Sequence, residues 1–290
     1  MRRRMAWLAI CLLLLTGSST AQQHAGSGIV TSIDAAHQSL TISCAAIPGY
    51  MDAMEMSFTV GDPKMLTGLK PGTAVAFTMV QRGKQLFAER IQVEPAANLE
   101  SEPLQAGQLT VLHNAINPHA ATSELTIGER VPDFQLTDQA AQLIHLSQFQ
   151  GKAVALTFGY SRCPNPNYCF RLSNNMARVE RRFHDRAGRD FVLLTINIDP
   201  EHDQGAALTK FADTWNAKPE VWHFLTGPLP EIHSIAEMFG MDFWSTEGLV
   251  THSLHTVIID RSGRLVANLE GNTFSAQQLG DLLQTVMDRR

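Results

Sequence analysis

The sequence predicts two domains, a small all-β barrel of the OB-like kind followed by a larger α/β domain. Three observations carry this prediction. The first part of the chain contains short runs rich in Val, Ile, Thr and Phe that alternate with turn residues. A stretch without periodicity follows, and beyond it strand-like and helix-like runs alternate. A length of 290 residues also favours more than one domain.

The first 21 residues resemble a secretory signal peptide. Three arginines precede a short apolar run from Met5 to Leu15, and small residues lead to a predicted cleavage site after Ala21. An uncleaved anchor is disfavoured, because crossing a bilayer takes about 20 apolar residues. We therefore expect a periplasmic or otherwise exported protein, with no stable membrane span after cleavage.

The predicted barrel covers residues 28–94. Five strand-like runs lie here, separated by turn sequences such as "GDPK" and "QRGK". The runs are "GIVTSID", "SLTISC", "EMSFTV", "TAVAFTMV" and "LFAERIQV". Several short strands in so small a region favour a closed barrel, since closure removes exposed strand edges.

Residues 95–125 read as a linker, and residues 126–290 as the α/β domain. The linker is rich in Ala, Asn, Glu and Pro, although "LTVLH" within it could add a short strand. The domain contains near-continuous apolar runs, "AVALTFGY" and "DFVLLTINID", that are typical of buried strands. Helical runs alternate with them, and the hairpin sequence "LHTVIIDRSGRLVANLEG" precedes a final helix. This order predicts a thioredoxin-like sandwich.

Charge and cysteine content exclude some classes of function. The net charge is −5 and no basic run follows the signal segment, so nucleic acid is not an expected partner. Cleavage would leave Cys44, Cys163 and Cys169. So few cysteines do not make a disulfide-stapled scaffold. At most one pair can close, and the remaining thiol is either buried, reactive or a metal ligand.

The stretch "GYSRCPNPNYCF" holds two of these cysteines between a buried strand and a helix. Pro164 and Pro166 keep the five-residue spacer out of a helix, so the loop can bring the two sulfurs together. Cys169 is expected near the first turn of a helix that begins around Phe170, where the helix N-terminus favours a thiolate. A stabilising disulfide, a redox pair and a metal clamp all fit the pair at this point.

Residues 126–290 resemble the Sco/SenC family of thioredoxin-like copper proteins. The matching segments are "VPDFQLTDQ", "LTFGYSRCP", "LTINIDPEHD" and "THSLHTVIIDRSGRLV". The resemblance implies a copper site made by Cys163, Cys169 and His252. The spacer between the cysteines is five residues here and three in the family, so this loop is two residues longer than the family's. Two thiolates and an imidazole form a soft site suited to Cu(I) and able to tolerate Cu(II).

Two further residues near the implied site have competing interpretations. His255 is a second candidate for the histidine ligand, but it lies within the predicted strand, where a packed or surface role is more common. Asp199, in "IDPEHD", resembles an acidic residue near the family's site, and a turn residue at a strand end is an equal alternative.

A methionine cluster in the barrel forms a second candidate site. Met54 and Met56 point to the same face of a strand, and Met51 and Cys44 are close enough in sequence to add sulfurs. Such ligands select Cu(I), although methionine also commonly fills apolar cores. Residues 28–94 resemble small periplasmic copper-binding barrels of the CusF kind through "GIVTSID", "LTI", "IPGYMDAMEM" and "LKPGTAVAF". The resemblance implies a Met-x-Met copper site in which Cys44 takes the position of a histidine.

His24 would become the third residue of the cleaved chain. There it could complete a square-planar Cu(II) site with the amino terminus, but we expect a histidine in a disordered tail instead.

The function implied by both resemblances is copper metallochaperone rather than enzyme. The expected cofactor is copper, and the expected partner is a copper-receiving respiratory oxidase subunit or another periplasmic copper protein. The alternative is a thiol-disulfide oxidoreductase acting through Cys163 and Cys169, although the pair lacks the Cys-x-x-Cys spacing of such enzymes. A peroxidase is a third option, but this sequence lacks the spacing of proline and threonine before the cysteine that is characteristic of such enzymes.

Overall fold

The computed structural model describes residues 22–94, 124–165, 167–246 and 248–289. The predicted signal peptide, the linker from residue 95 to residue 123 with its "LTVLH" run, and Pro166 lie outside these ranges. Among the described residues, no helix is both long enough and apolar enough to cross a membrane.

The N-terminal region is a closed barrel of five strands, which confirms the predicted all-β unit. The strands, in chain order, are β1 (Gln22–Asp34), β2 (Ser39–Cys44), β3 (Met54–Thr59), β4 (Ala74–Arg82) and β5 (Gln85–Val93). They are hydrogen-bonded in the order β1-β2-β3-β5-β4, and one 3-10 turn, Pro63–Leu66, links β3 to β4.

Strand β1 closes the barrel because it pairs with two neighbours. Its first half pairs with β4 and its second half with β2, and the exchange occurs around Gly28. A Cβ atom at Gly28 would lie 2.4 Å from the carbonyl oxygen of Ser43, so only glycine allows this close approach. The barrel interior is filled by alternate residues of the strands, such as Leu40, Phe58 and Phe77.

The second region is built on a seven-stranded sheet with the order β14-β13-β8-β9-β10-β6-β7. Its strands are β6 (Gln135–Asp138), β7 (Leu143–His145), β8 (Ala153–Gly159), β9 (Phe191–Asn197), β10 (Trp222–Thr226), β13 (His255–Ile259) and β14 (Leu265–Glu270). A separate hairpin consists of β11 (Phe243–Thr246) and β12 (Leu249–His252). The central strands β8, β9 and β10 are parallel, and the outer strands are antiparallel to their neighbours.

Helices cover both faces of this sheet. They are α1 (Cys169–Arg182), α2 (Ala206–Thr214), α3 (Leu229–Glu237) and α4 (Ala276–Asp288), and a 3-10 turn, Leu146–Phe149, precedes β8. Helices α1, α2 and α4 pack on one face, while α3 packs on the other, and each face has its own apolar core. The predicted alternation of buried strands and helices, with a terminal hairpin and helix, is confirmed.

The two regions contact each other through α4. The Ser43 hydroxyl of β2 donates to Asp281 of α4 at 2.5 Å, and Gln278 donates to the Ser43 carbonyl at 3.2 Å. Gln277 donates to the carbonyl of Ala53, the residue before Met54, at 2.7 Å. The end of the barrel that carries the candidate sulfur ligands therefore lies against the last helix.

Candidate metal centres

The loop between β8 and α1 carries the cysteine pair. Strand β8 is buried at every residue, because strands lie on both sides of it and helices on both faces. Helix α1 begins at Cys169, one residue before the predicted start. Cys163 and Cys169 are free thiols with 8% and 2% of their surface exposed. Both sulfurs therefore lie at the buried end of a strand-loop-helix junction.

His252 lies against the second cysteine. The Cys169 Sγ atom is 3.4 Å from His252 Nε2. On the other side of the ring, Nδ1 is 2.7 Å from the Ser253 carbonyl oxygen. A carbonyl only accepts, so Nδ1 carries the proton, and the lone pair of Nε2 faces the sulfur. This arrangement of an imidazole anchored by a backbone carbonyl is common among metal-ligating histidines.

The β11–β12 hairpin places His252 at this point. His252 is the last residue of β12 and pairs with Phe243, the buried first residue of β11. The base of the hairpin is closed by two hydrogen bonds between Asp242 and Ser253. The ring of Tyr160 meets the imidazole edge to face at 5.8 Å, and its hydroxyl donates to the Val250 carbonyl. His252 is therefore held in place by the β11–β12 hairpin and by Tyr160, which follows β8.

The two cysteines differ in proton affinity. A hydrogen bond from Cys169 holds the pKa of Cys163 well below its ordinary value against the opposing effect of burial. The same hydrogen bond and burial raise the pKa of Cys169 well above its ordinary value. The pair therefore carries one thiolate, on Cys163, and one thiol proton, on Cys169.

The three side chains contact one another but do not form a closed cage. Among the residues that the structure describes, no set of three or more His, Cys, Asp or Glu side chains is already spaced to hold a metal ion. The structure thus brings the three predicted residues together without the spacing of a preformed metal site.

Two acidic residues hold the loop that leads to Cys163. Asp199 accepts from the Arg162 guanidinium at 2.6 and 2.9 Å. Asp203, which is fully buried, accepts from both the backbone N–H and the hydroxyl of Ser161. Burial raises the pKa of Asp203. Asp199 therefore contacts the residue beside the cysteine, and its described contacts include no sulfur.

His255, the competing histidine, is buried within β13. Its Nδ1 atom lies 3.0 Å from the side-chain oxygen of Asn268, and burial lowers its pKa. The structure therefore gives His255 a packed, hydrogen-bonded position, whereas it gives His252 a contact with Cys169.

The barrel places its candidate ligands at one end of the interior. Cys44 of β2 lies directly opposite Met54 of β3, and Ile42 lies opposite Met56. Directly opposite residues of antiparallel strands share a face, so both methionines are on the interior face. Met54 is 47% exposed at the open end of the barrel, whereas Met51 and Met56 are half-buried against the core.

Among the three cysteines that the structure describes, Cys44 is the one whose pKa is shifted by burial alone. Its Sγ atom lies 3.6 Å from the Ile42 carbonyl oxygen, and burial raises its pKa to about 12. A metal ion that binds Cys44 as a thiolate must therefore displace a tightly held proton.

His24 is the residue that the sequence reasoning placed wrongly. We expected it in a disordered tail, but it belongs to β1 and pairs with Met79 of β4. The backbone of residues 22–29 pairs with β4, so the amides near His24 are not available for the alternative amino-terminal Cu(II) site. The alternation of β1 offered little signal, since Gly26 and Gly28 occupy interior positions where apolar side chains are expected.

Comparison with known proteins gives two matches along the chain. The sequence profile of the SCO1/SenC family matches residues 124–288, and the profile of the copper binding periplasmic protein CusF matches residues 23–93. The mitochondrial protein SCO2 homolog of Bos taurus is 25% identical over 162 residues, which cover 53% of this chain and 59% of the relative. The chain thus spans less than two thirds of that relative's length.

Solved structures resemble the second region. A SCO1/SenC family lipoprotein from Bacillus anthracis is 20% identical, with 55% of this chain and 95% of the other covered and a TM-score of 0.50. A copper-bound ScoI from Arabidopsis thaliana is 23% identical, with 57% and 100% covered and a TM-score of 0.48. The first likeness supports the thioredoxin-like fold. Because the family profile covers more than half of the chain, the protein belongs to the SCO1/SenC family.

Proposed function

We propose that this protein is an exported copper metallochaperone that binds Cu(I) at Cys163, Cys169 and His252. The observation that carries the proposal is the contact of Cys169 with His252, whose Nε2 lone pair faces the sulfur. Two thiolates and one imidazole are a soft donor set that suits Cu(I). The Cys163 thiolate is ready to bind, and the proton of Cys169 is released when the ion takes its place.

The redox state of the pair controls this binding. Two free thiols can close around an ion, whereas a disulfide would leave no thiolate for it. The three side chains approach more closely on binding, since they do not yet have the spacing of metal ligands. The loop that carries Cys163 can make this adjustment while Asp203 keeps its first residues in place.

The barrel is the proposed second copper site, with Met54, Met56, Met51 and Cys44 as ligands. Support comes from the match to the CusF profile and from the interior face that Cys44 and Met54 share. Thioethers and a thiol at an open barrel end favour Cu(I). We infer that the barrel captures copper and that the thioredoxin-like domain delivers it to a respiratory oxidase subunit.

Thiol-disulfide exchange is the second candidate function. The observation that favours it is the division of the pair into a thiolate and a thiol, because exchange begins with attack by a thiolate. The burial of both sulfurs opposes it, since a protein disulfide has to reach the attacking atom.

Copper transfer separates the two candidates. The reduced full chain is loaded with Cu(I) and mixed with the apo copper-binding domain of a cytochrome c oxidase subunit, and copper is measured in each protein after separation. We expect transfer from the wild-type chain and from the control His184→Ala, an exposed histidine. Transfer should be lost in Cys163→Ser/Cys169→Ser. Rapid reduction of insulin disulfides without any copper transfer would favour the oxidoreductase.

A further inference from the structure

The side chain of His24 lies on the interior face of the barrel. His24 pairs with Met79, whose side chain is buried in the barrel core, and directly opposite residues share a face. Two residues further along β1, a Cβ atom at Gly26 would meet the ring of Phe77 at 3.0 Å. The even-numbered positions in this part of β1 therefore face inward, and the imidazole is directed into the barrel.

The imidazole has an unused nitrogen. Nε2 of His24 is buried and has no hydrogen-bond partner among the described residues. The ring is stacked on Tyr50, with 3.7 Å between the ring centroids and an angle of 21° between the planes. A buried polar atom left unpaired is energetically costly, so a ligand at this nitrogen would remove that penalty.

His24 lies at the same barrel end as the candidate sulfur ligands. Beyond Cys44, the chain runs back along β1, since the Ala45 N–H donates to the Ser27 carbonyl and Tyr50 then stacks on His24. Met51 follows Tyr50 directly, and Met54 begins β3 opposite Cys44. The same end of the barrel therefore holds a thiol, thioethers and an unpaired imidazole nitrogen.

We propose that His24 is a nitrogen ligand of the barrel's copper site, with Tyr50 holding its ring in place. This inference rests on the proposed copper binding by the barrel, and it adds a ligand from β1 to a set otherwise drawn from β2, β3 and the loop between them. Imidazole binds copper readily, and a neutral imidazole does so without releasing a proton. His24 thus supplies a donor that is available when the Cys44 thiol is not.

Cu(I) titration of the full chain tests this role. The parent carries Cys163→Ser/Cys169→Ser, so that only the barrel site remains, and a competing Cu(I) chelator reports affinity. We expect His24→Gln to weaken binding about tenfold or more, by analogy with the loss caused by removing a supporting residue. The matched control, His37→Gln, changes an exposed histidine in the β1–β2 turn and should leave the affinity unchanged.

Two spectroscopic measurements extend the test beyond affinity. X-ray absorption should show a Cu–N contribution in the parent that is absent in His24→Gln. NMR of the parent, with His24 intact, should show the His24 Nε2 resonance shifting when Ag(I) is added as a probe for Cu(I). Cu(I) and Ag(I) are used because an amino-terminal amide site would instead take Cu(II).

The outcomes distinguish this inference from the proposed function. Tight Cu(I) binding that is the same in His24→Gln, without a Cu–N contribution in the parent, would overturn the role of His24 alone. A parent that binds neither Cu(I) nor Ag(I) would overturn the barrel site and the role of His24 together.

Discussion

Cys163 and Cys169 differ because of what each sulfur contacts. Cys169 is almost completely buried at the start of α1 and donates a hydrogen bond from its thiol, whereas Cys163 in the preceding loop accepts that hydrogen bond. The resulting thiolate on Cys163 is stabilised by the Cys169 thiol, the group that would become its fellow ligand. Its reactivity toward alkylating reagents therefore reports on the geometry of the apo site.

Alkylation of Cys163 should depend little on pH. At pH values below its pKa, an ordinary thiol reacts roughly tenfold faster for each unit by which the pH rises, because the thiolate fraction increases. A cysteine that is already a thiolate reacts at a rate that does not change with pH. Because the pKa of Cys163 is well below its ordinary value of 9.0, we expect a flat iodoacetamide rate from about pH 6.5 to about pH 8.5. Mass spectrometry of the labelled peptide measures this rate.

Cys169→Ala provides the comparison for this measurement. It removes the hydrogen bond that contributes most to the lowered pKa, so labelling of Cys163 should become slower near neutral pH and should rise with pH. Cys44, whose pKa burial raises to about 12, serves as an internal control and should stay unlabelled in the folded chain. A steep pH dependence at Cys163 in the wild-type chain would contradict the assigned thiolate.

Individual residues differed in how far the sequence could predict them. The sequence predicted that Cys163, Cys169 and His252 lie close together, because the motifs around them resemble those of a known family. His24 was missed because its interior neighbours on β1 are glycines, which erase the alternation that marks a strand. Its stacking on Tyr50 depends on how the loop after β2 folds back, which local sequence does not encode.

Helix α4 and the turn before it contact both candidate sites. Gln277 and Gln278 bond the backbone beside Met54 and Cys44 in the barrel. Asn272, in the turn after β14, donates to the Asn167 carbonyl in the cysteine spacer. A single short segment, residues 272–278, thus contacts both candidate sites.

The buried carboxylate of Asp281 should matter for the attachment of α4. It accepts from the Ser43 hydroxyl and pairs with Arg182 of α1 at 2.6 Å. Asp281→Ala leaves the Ser43 hydroxyl without this acceptor, so we expect the free energy of unfolding to fall by about 1–3 kcal/mol in urea titrations. Asp34→Ala, which removes an exposed pair with His37, should change it little. Equal effects of the two substitutions would argue against the buried contact.

The sequence predicted the order of strands and helices along the chain better than it predicted which of these elements contact each other. Apolar runs and turn residues were enough to predict the strands of the barrel and the alternation in the second region. The contact between Ser43 and Asp281 joins residues 238 positions apart, and no pattern within either β2 or α4 indicates it. The polar side of α4 reads as solvent-exposed until the barrel is placed against it.

The whole molecule combines a barrel and a thioredoxin-like domain with different donor chemistry. The barrel offers thioethers, a buried thiol and the imidazole of His24, whereas the second domain offers a thiolate, a thiol and His252. Under the proposed function, the first set binds a soft metal ion, and metal binding by the second set also depends on the redox state of its cysteine pair. This division fits capture at one site and redox-controlled delivery at the other.

The central claim, two copper sites in one chain, is tested most directly by Cu(I) titration of the reduced full-length protein against a competing chelator. We predict two tight equivalents, of which Cys163→Ser/Cys169→Ser abolishes one and Met54→Leu/Met56→Leu the other, while the control Met65→Leu keeps both. A single tight equivalent that survives Met54→Leu/Met56→Leu, or no tight binding in the wild-type chain, would contradict the two-site account.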